Sequence, residues 1–240
     1  MKKKIIMFTV LLVSLFMVTA CNRQEANKVG QSDAEKFKEE YETLNGTTRE
    51  KDGKTIRTIE ISTDNPMVYA DENEIIEMME DEKSFVVYFG FSDCPWCRSA
   101  IPTLIEVAKD LGLDKIYYVD VKEIRDTMAI DEEGNVITET KGTDGYYGLL
   151  KKFDNVLDDY TLKDEDNNEV ETGEKRIYAP NIVAVVEGNP VELTDGISEK
   201  QTDGYMELTN EMQEESYNKI KCTIQCVADE NKTCSAKSSC

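Results

Sequence analysis

Phe89-Gly90-Phe91-Ser92-Asp93-Cys94-Pro95-Trp96-Cys97 carries the chain from an apolar run into two cysteines separated by two residues. Behind it, Ser84 to Phe89 reads as a strand buried on both faces. Ahead of it, Ile101, Leu104, Ile105, Ala108 and Leu111 recur at helical spacing, which predicts a helix from Cys94 to Leu111. The C-x-x-C therefore falls at a strand-to-helix junction. Unpaired N–H groups and the helix dipole favour an anion there, so a Cys94 thiolate is stabilised. Cys94 is the candidate nucleophile. Cys97, one turn further in, is placed to attack a mixed disulfide at Cys94. A structural disulfide or half of a zinc knuckle are the competing readings, and zinc is weakened by the lack of a second pair nearby.

Outward from this junction, Met67 to Tyr69 is a short strand candidate, Asp71 to Glu82 a helix with Ile75, Ile76, Met78 and Met79 inward, and Lys115 to Val121 another apolar strand. The order β-α-β-α-β implies an α/β fold with parallel strands under covering helices. From Glu123 to Gly173 the chain turns acidic and turn-rich, with Gly134-Asn135, Thr143-Asp144-Gly145 and a helix candidate from Tyr146 to Leu157, and reads as an insertion over about 123–175. Ile182 to Val186 is again apolar, Glu187-Gly188-Asn189 a turn, Val191 to Leu193 an antiparallel return, and Thr209 to Lys221 a last helix. Upstream, Phe37, Tyr41 and Leu44 form a short amphipathic stretch, and the β-branched content of Thr55 to Ile61 suggests an added strand; neither is expected to carry chemistry. The acidic run Asp164 to Asn168 reads as a hairpin tip, because an EF-hand needs glycine and glutamate where Glu169 and Lys175 stand.

Composition removes several functions. The 240 residues suit one elaborated domain. A net charge of −21 repels nucleic-acid phosphates and anionic membrane surfaces, so no nucleic-acid partner is expected. The absence of histidine excludes Ser-His and Cys-His nucleophile pairs and histidine-ligated zinc.

Both ends carry cysteine. Met1-Lys2-Lys3-Lys4 followed by sixteen uncharged residues to Ala20 is a signal-peptide pattern over residues 1–20. At about 1.5 Å per residue the run reaches roughly 24 Å, short of a bilayer core. Val18-Thr19-Ala20-Cys21 resembles the lipobox of bacterial lipoproteins, which implies lipidation of Cys21 and anchoring by acyl chains such as palmitate. Residues 21–54 then read as lipid attachment and polar tether, 55–221 as the domain, and 222–240 as a cysteine-rich tail. Cys222, Cys226, Cys234 and Cys240 are expected in structural disulfides outside the cytoplasm; a thiolate metal site and a second redox relay are the alternatives. Four cysteines allow three connectivities, and spacing does not choose among them.

The run Cys94 to Leu104 resembles the active-site helix of the thioredoxin superfamily, including Pro102 five residues past the second cysteine. Ile177-Tyr178-Ala179-Pro180-Asn181-Ile182-Val183 resembles that family's cis-proline loop, with its β-hairpin following. The resemblance covers roughly residues 65–121 and 176–221. It implies a thioredoxin-like α/β/α sandwich, a cis Ala179–Pro180 bond facing Cys94 and pairing of Ala179 with an extended substrate; Trp96 reads either as an apolar platform for a substrate chain or as packing against the cis-proline loop. Two departures stand out. The interval from Asp120 to Pro180 is lengthened, and Tyr88 occupies the strand position where typical members carry an acidic proton acceptor, so deprotonation of Cys97 must rely on water or another group. Pro95-Trp96 between the cysteines is closer to glutaredoxins than to thioredoxins.

The resemblance and the lipobox together imply a thiol–disulfide oxidoreductase on the extracytoplasmic face of a cell membrane, in a Gram-positive setting, similar to thioredoxin-like bacteriocin-transport accessory proteins. Its redox group is the Cys94–Cys97 dithiol/disulfide, with no further cofactor or metal expected. Its partners are protein or peptide thiols and disulfides, a membrane redox partner, and the membrane through the lipid. The rival class is a non-enzymatic accessory or chaperone module that binds peptides for export; a metal-handling protein using the tail thiolates is a third.

Overall fold

The computed structural model describes residues 31–228. The signal segment 1–20, Cys21, the tether as far as residue 30, Cys234 and Cys240 lie outside the described residues. In chain order the elements are α1 (Asp33–Glu42), β1 (Met67–Tyr69), α2 (Glu72–Glu80), β2 (Phe85–Gly90), α3 (Pro95–Leu111), β3 (Ile116–Asp120), β4 (Thr127–Ile130), β5 (Val136–Thr140), α4 (Asp144–Phe153), β6 (Asp159–Lys163), β7 (Glu169–Lys175), β8 (Asn181–Val186), β9 (Asn189–Thr194) and α5 (Asn210–Ala228).

The fold is α/β, built on a mixed five-stranded sheet of order β1-β3-β2-β8-β9. β1 and β2 run parallel to β3, whereas β8 pairs antiparallel with both β2 and β9. All six residues of β2 are buried, because strands flank it on both edges and helices cover both faces. Alternation along β2 assigns the helices to faces. Phe89 meets Phe153 of α4 edge-to-face at 5.5 Å. Its neighbour Tyr88 turns the other way, stacks on Tyr118 at 5.5 Å and meets Tyr41 of α1. α3 and α5 pack together, α5 also lies against β8 and β9, and α2 packs against α4.

The acidic stretch between β3 and β8 is ordered into two hairpins, β4–β5 and β6–β7, flanking α4. A buried ion pair closes it. Arg176, just before the loop leading into β8, donates to the Asp126 carboxylate at 2.8 Å and to the Asp126 carbonyl at 3.1 Å. Asp164 to Asn168 is the tip of the β6–β7 hairpin, where the Asp164 carboxylate accepts from the Asn168 backbone and side-chain amides.

Four expectations are corrected. Thr55 to Ile61 forms no strand, only a bridge between Thr48 and Thr55. Ile56, Ile59 and Ile61 are buried, but side chains satisfy the backbone: Ile59 N–H donates to Asn45 Oδ1, the Asn45 amide donates to Ile59 O, and Ile61 N–H donates to Glu42. Thr143-Asp144-Gly145 is a helix start rather than a turn, with Thr143 capping α4 through Tyr146 N–H. The last helix continues past Lys221 to Ala228, because Ile220, Thr223 and Ile224 extend its buried face, so Cys222 and Cys226 are helical. The compact unit begins at Ser32, ahead of the expected boundary at 54/55. Phe37 and Tyr41 of α1 are fully buried, and Ser32 and Glu35 cap that helix reciprocally.

Candidate active site

Cys94 is the N-cap of α3, with extended backbone (φ −75°, ψ 120°), and Pro95 follows at the first helical position, where its missing N–H costs nothing. The Cys94 sulfur accepts the Cys97 backbone N–H at 3.4 Å. Neither Cys94 nor Cys97 is in a disulfide, so the pair is a dithiol. Cys94 is 4% exposed and Cys97 fully buried.

These surroundings drive the two thiols apart. Donation from the Cys97 thiol, helped by the N–H groups of Cys97 and Trp96 and by the Arg125 guanidinium, lowers the Cys94 pKa to about 7 against the opposing effect of burial. Cys97 is pushed well above its ordinary value by burial, by its own bond to Cys94 and by the nearby Cys94 charge, with the Tyr88 hydroxyl and the Phe91 N–H acting in the opposite sense. Arg125 follows β3 and stacks its guanidinium 5.1 Å from the Phe91 ring centre.

The Ala179–Pro180 peptide is cis. The Cys94 thiol donates to the Ala179 carbonyl at 3.3 Å. Tyr178 ties this loop to the hairpin beside it: its hydroxyl donates to Asp159 O at 3.1 Å and accepts from Thr161 N–H at 3.3 Å. A cavity of about 420 Å³ opens beside the loop, lined by Trp96, Tyr178, Ala179, Pro180, Ile197 and Lys219 among others. The structure thus brings Cys94, Cys97, Trp96, Ala179 and Pro180 into one place. Cys222 and Cys226 are both disulfide-bonded on α5.

Three features of the site have no local sequence signal. Tyr88, where an acid was the family expectation, shares a 3.0 Å hydrogen bond with Tyr41, and both rings are fully buried. Burial raises the pKa of each hydroxyl, so both stay neutral. Gly90, two residues along the same face of β2, makes the room: a β-carbon there would lie 2.1 Å from the Tyr88 hydroxyl oxygen. Arg98, directly after Cys97 and 1% exposed, spreads its guanidinium over neutral acceptors, donating to Arg57 O at 2.7 Å, Tyr41 O and Ser92 O at 2.9 Å, and the Asn45 side-chain oxygen. One buried cation thereby joins the loop before Cys94, α3 and the segment between α1 and β1.

Among the described residues, no group of three or more Cys, Asp or Glu is placed to hold a metal ion, and no helix is long and apolar enough to cross a membrane. No family model matches the chain, and no curated protein matches it.

Proposed function

We propose that this chain is a thiol–disulfide oxidoreductase with a thioredoxin-like fold, elaborated by an acidic insertion and anchored by lipid at Cys21 on the extracytoplasmic face of a membrane. The observation that carries the reading is geometric: the Cys94 sulfur, at the N-cap of α3, accepts the Cys97 backbone N–H at 3.4 Å and its thiol donates to the Ala179 carbonyl at 3.3 Å, with Cys97 fully buried behind it.

In the reducing direction, the Cys94 thiolate attacks one sulfur of a substrate disulfide. The substrate S–S bond breaks, a Cys94–substrate disulfide forms, and the departing thiolate takes a proton from solvent. Cys97 then loses its proton and attacks the Cys94 sulfur, forming the Cys94–Cys97 disulfide and releasing the second substrate thiol. Two electrons pass from the dithiol to the substrate, and the reverse sequence oxidises a substrate dithiol. Trp96, Pro180 and Ile197 supply apolar surface for the chain flanking the substrate sulfur, in a cavity whose lining also carries Asp158, Asp195, Glu199 and Lys219.

Insulin-disulfide reduction by the mature protein, with Cys94→Ser and Cys97→Ser variants, tests the chemistry. Loss of turnover in both, with a mixed disulfide accumulating only in Cys97→Ser, supports the reading. Peptide binding that survives both substitutions, with no exchange in wild type, replaces it by the peptide-binding module. Anchoring is tested separately: Cys21→Ala should abolish lipid labelling, and normal labelling of that variant removes the anchor from the proposal.

A further inference from the structure

We propose that the groove leading from Pro180 along β9 and α5 holds a basic segment of the substrate chain, with lysine or arginine side chains flanking the cysteine that meets Cys94. This rests on the reading of Cys94 and Cys97 as the redox pair and names the class of chain that the pair serves.

The groove is made of two adjoining cavities. The one of about 420 Å³ beside Pro180 shares Asp158, Asn181, Asp195 and Lys219 with a second of about 790 Å³, whose lining continues to Leu193 of β9 and Thr223 of α5. Asn181 stands where they meet. It follows Pro180 in the chain, is 3% exposed, and accepts the Tyr178 N–H on its Oδ1 at 2.7 Å. That bond fixes which way the amide faces and leaves its nitrogen with two hydrogens to donate. Among the described residues they meet no acceptor, while the side chain lines both cavities. A buried amide donor left open to a groove is satisfied by a carbonyl oxygen of a chain lying in it.

The charge around that donor selects the chain. Lys219, the basic side chain lining both cavities, is already matched: its ammonium donates to Ile197 O at 2.9 Å and lies 3.8 Å from Glu199 and 3.7 Å from Glu215. Glu215 in turn accepts from the Ser198 hydroxyl and the Glu199 N–H. Asp158, Glu192 and Asp195 remain, and none of them forms an ion pair among the described residues; the two aspartates are exposed and Glu192 is half-buried. These carboxylates do not converge, since no group of three among the described residues is placed to hold a metal ion, so they suit charges spaced along a chain rather than one small cation. Trp96, Pro180 and Ile197 complete the fit, because lysine and arginine lay their aliphatic stems on apolar surface while their heads reach for charge. A net charge of −21 draws such a chain in from a distance.

The test uses two short peptide disulfides that differ only in the residues flanking cysteine, lysine in one and serine in the other. Single-turnover reduction by the prereduced mature protein gives the rate, and fluorescence anisotropy of the same peptides with cysteine replaced by serine gives binding without exchange. The lysine peptide should be favoured about five- to tenfold in both, and raising the salt from about 0.05 to about 0.5 M should bring that ratio down to about two. Asp158→Asn with Asp195→Asn should lower the ratio by about half or more. Asp158→Lys with Asp195→Lys should turn the preference toward a glutamate peptide, which a misfolded protein cannot mimic. Asn181→Asp keeps the acceptor for Tyr178 and removes the amide hydrogens, so the serine peptide should weaken about three- to tenfold and the lysine peptide, offered one more carboxylate, by less. Equal handling of the lysine and serine peptides, a preference untouched by either pair of substitutions, or serine-peptide binding unchanged in Asn181→Asp overturns the proposal. Preferential binding of the lysine peptide by a protein that exchanges no disulfide would defeat the oxidoreductase reading and keep the groove; exchange of both peptides at one rate does the reverse.

Discussion

The Cys94 sulfur lies 3.3 Å from the carbonyl oxygen of Ala179, 85 residues further along the chain. Only the thiol can donate across that distance. When Cys94 ionises, the bond is lost and the carbonyl becomes free to accept an N–H from an incoming chain. In the proposed reaction, nucleophile and acceptor are therefore readied by the same proton loss.

With Cys94 lowered to about 7, alkylation of the reduced protein should be fast and level above about pH 8 and fall about tenfold per unit below 7, as iodoacetamide kinetics would show. Stability has the matching sign. A pKa depressed by folding from an ordinary value of 9.0 contributes stability that is complete above that value and gone below about 7. Urea unfolding of the reduced protein against Cys94→Ser should show an advantage that grows between these limits; a constant difference would contradict the lowered value.

Gly90→Ala should disturb the site from beneath. Its β-carbon meets the Tyr88 hydroxyl oxygen at 2.1 Å, and that ring is packed between Tyr118 and the Tyr41 contact. A loss of about 1–3 kcal/mol in urea unfolding is expected, with slower resolution of mixed disulfides. Combining it with Tyr88→Phe should recover little, because the ring carbon that bore the hydroxyl would still lie 2.3 Å from the new β-carbon.

Arg98→Ala should cost about 3 kcal/mol or more, because it strands the Arg57, Tyr41 and Ser92 carbonyls and the Asn45 amide oxygen. Arg98→Lys should restore only a part, since an ammonium cannot span the fork of acceptors. Equilibrium unfolding of both variants decides it; equal stability of Arg98→Lys and wild type would show that charge alone suffices.

Trp96→Ala should separate binding from chemistry. Trp96 is half-buried and lines the cavity beside Pro180, so KM for a protein disulfide should rise several-fold while turnover of a small aromatic disulfide stays close to wild type. Equal losses on both substrates would place Trp96 in the support of Cys94 instead.

The parts of this site legible in the sequence are those written in adjacent residues. Cys94, Pro95 and Cys97 carry their meaning within one turn, and the apolar runs of β2, β3 and β8 announce buried strands. Tyr88 could be flagged as a departure, but its partner Tyr41 stands 47 residues upstream in a helix with no chemical signature. Arg98 was hidden because a charged residue in a helix ordinarily reads as surface, and only the fold brings carbonyls from positions 41, 57 and 92 around it. The stretch Thr55 to Ile61 misled for a related reason: its β-branched residues report burial, while its backbone is satisfied by Asn45 and Glu42 side chains rather than a neighbouring strand.

The placement of α1 also sets an order of assembly. Ten residues make too short a helix to persist alone in water. Its buried face waits for Tyr118, and Tyr41 waits for Arg98, so the first element among the described residues docks only after β2, α3 and β3 have come together. Closing contacts across so much sequence is slow compared with forming local turns. A chain caught before that docking already holds its two thiols at the start of α3 but leaves the Tyr88 hydroxyl without Tyr41 and Arg98 without the Tyr41 carbonyl. The sealed, fully buried setting of Cys97 thus becomes a property of the finished fold, withheld from the partly folded chain.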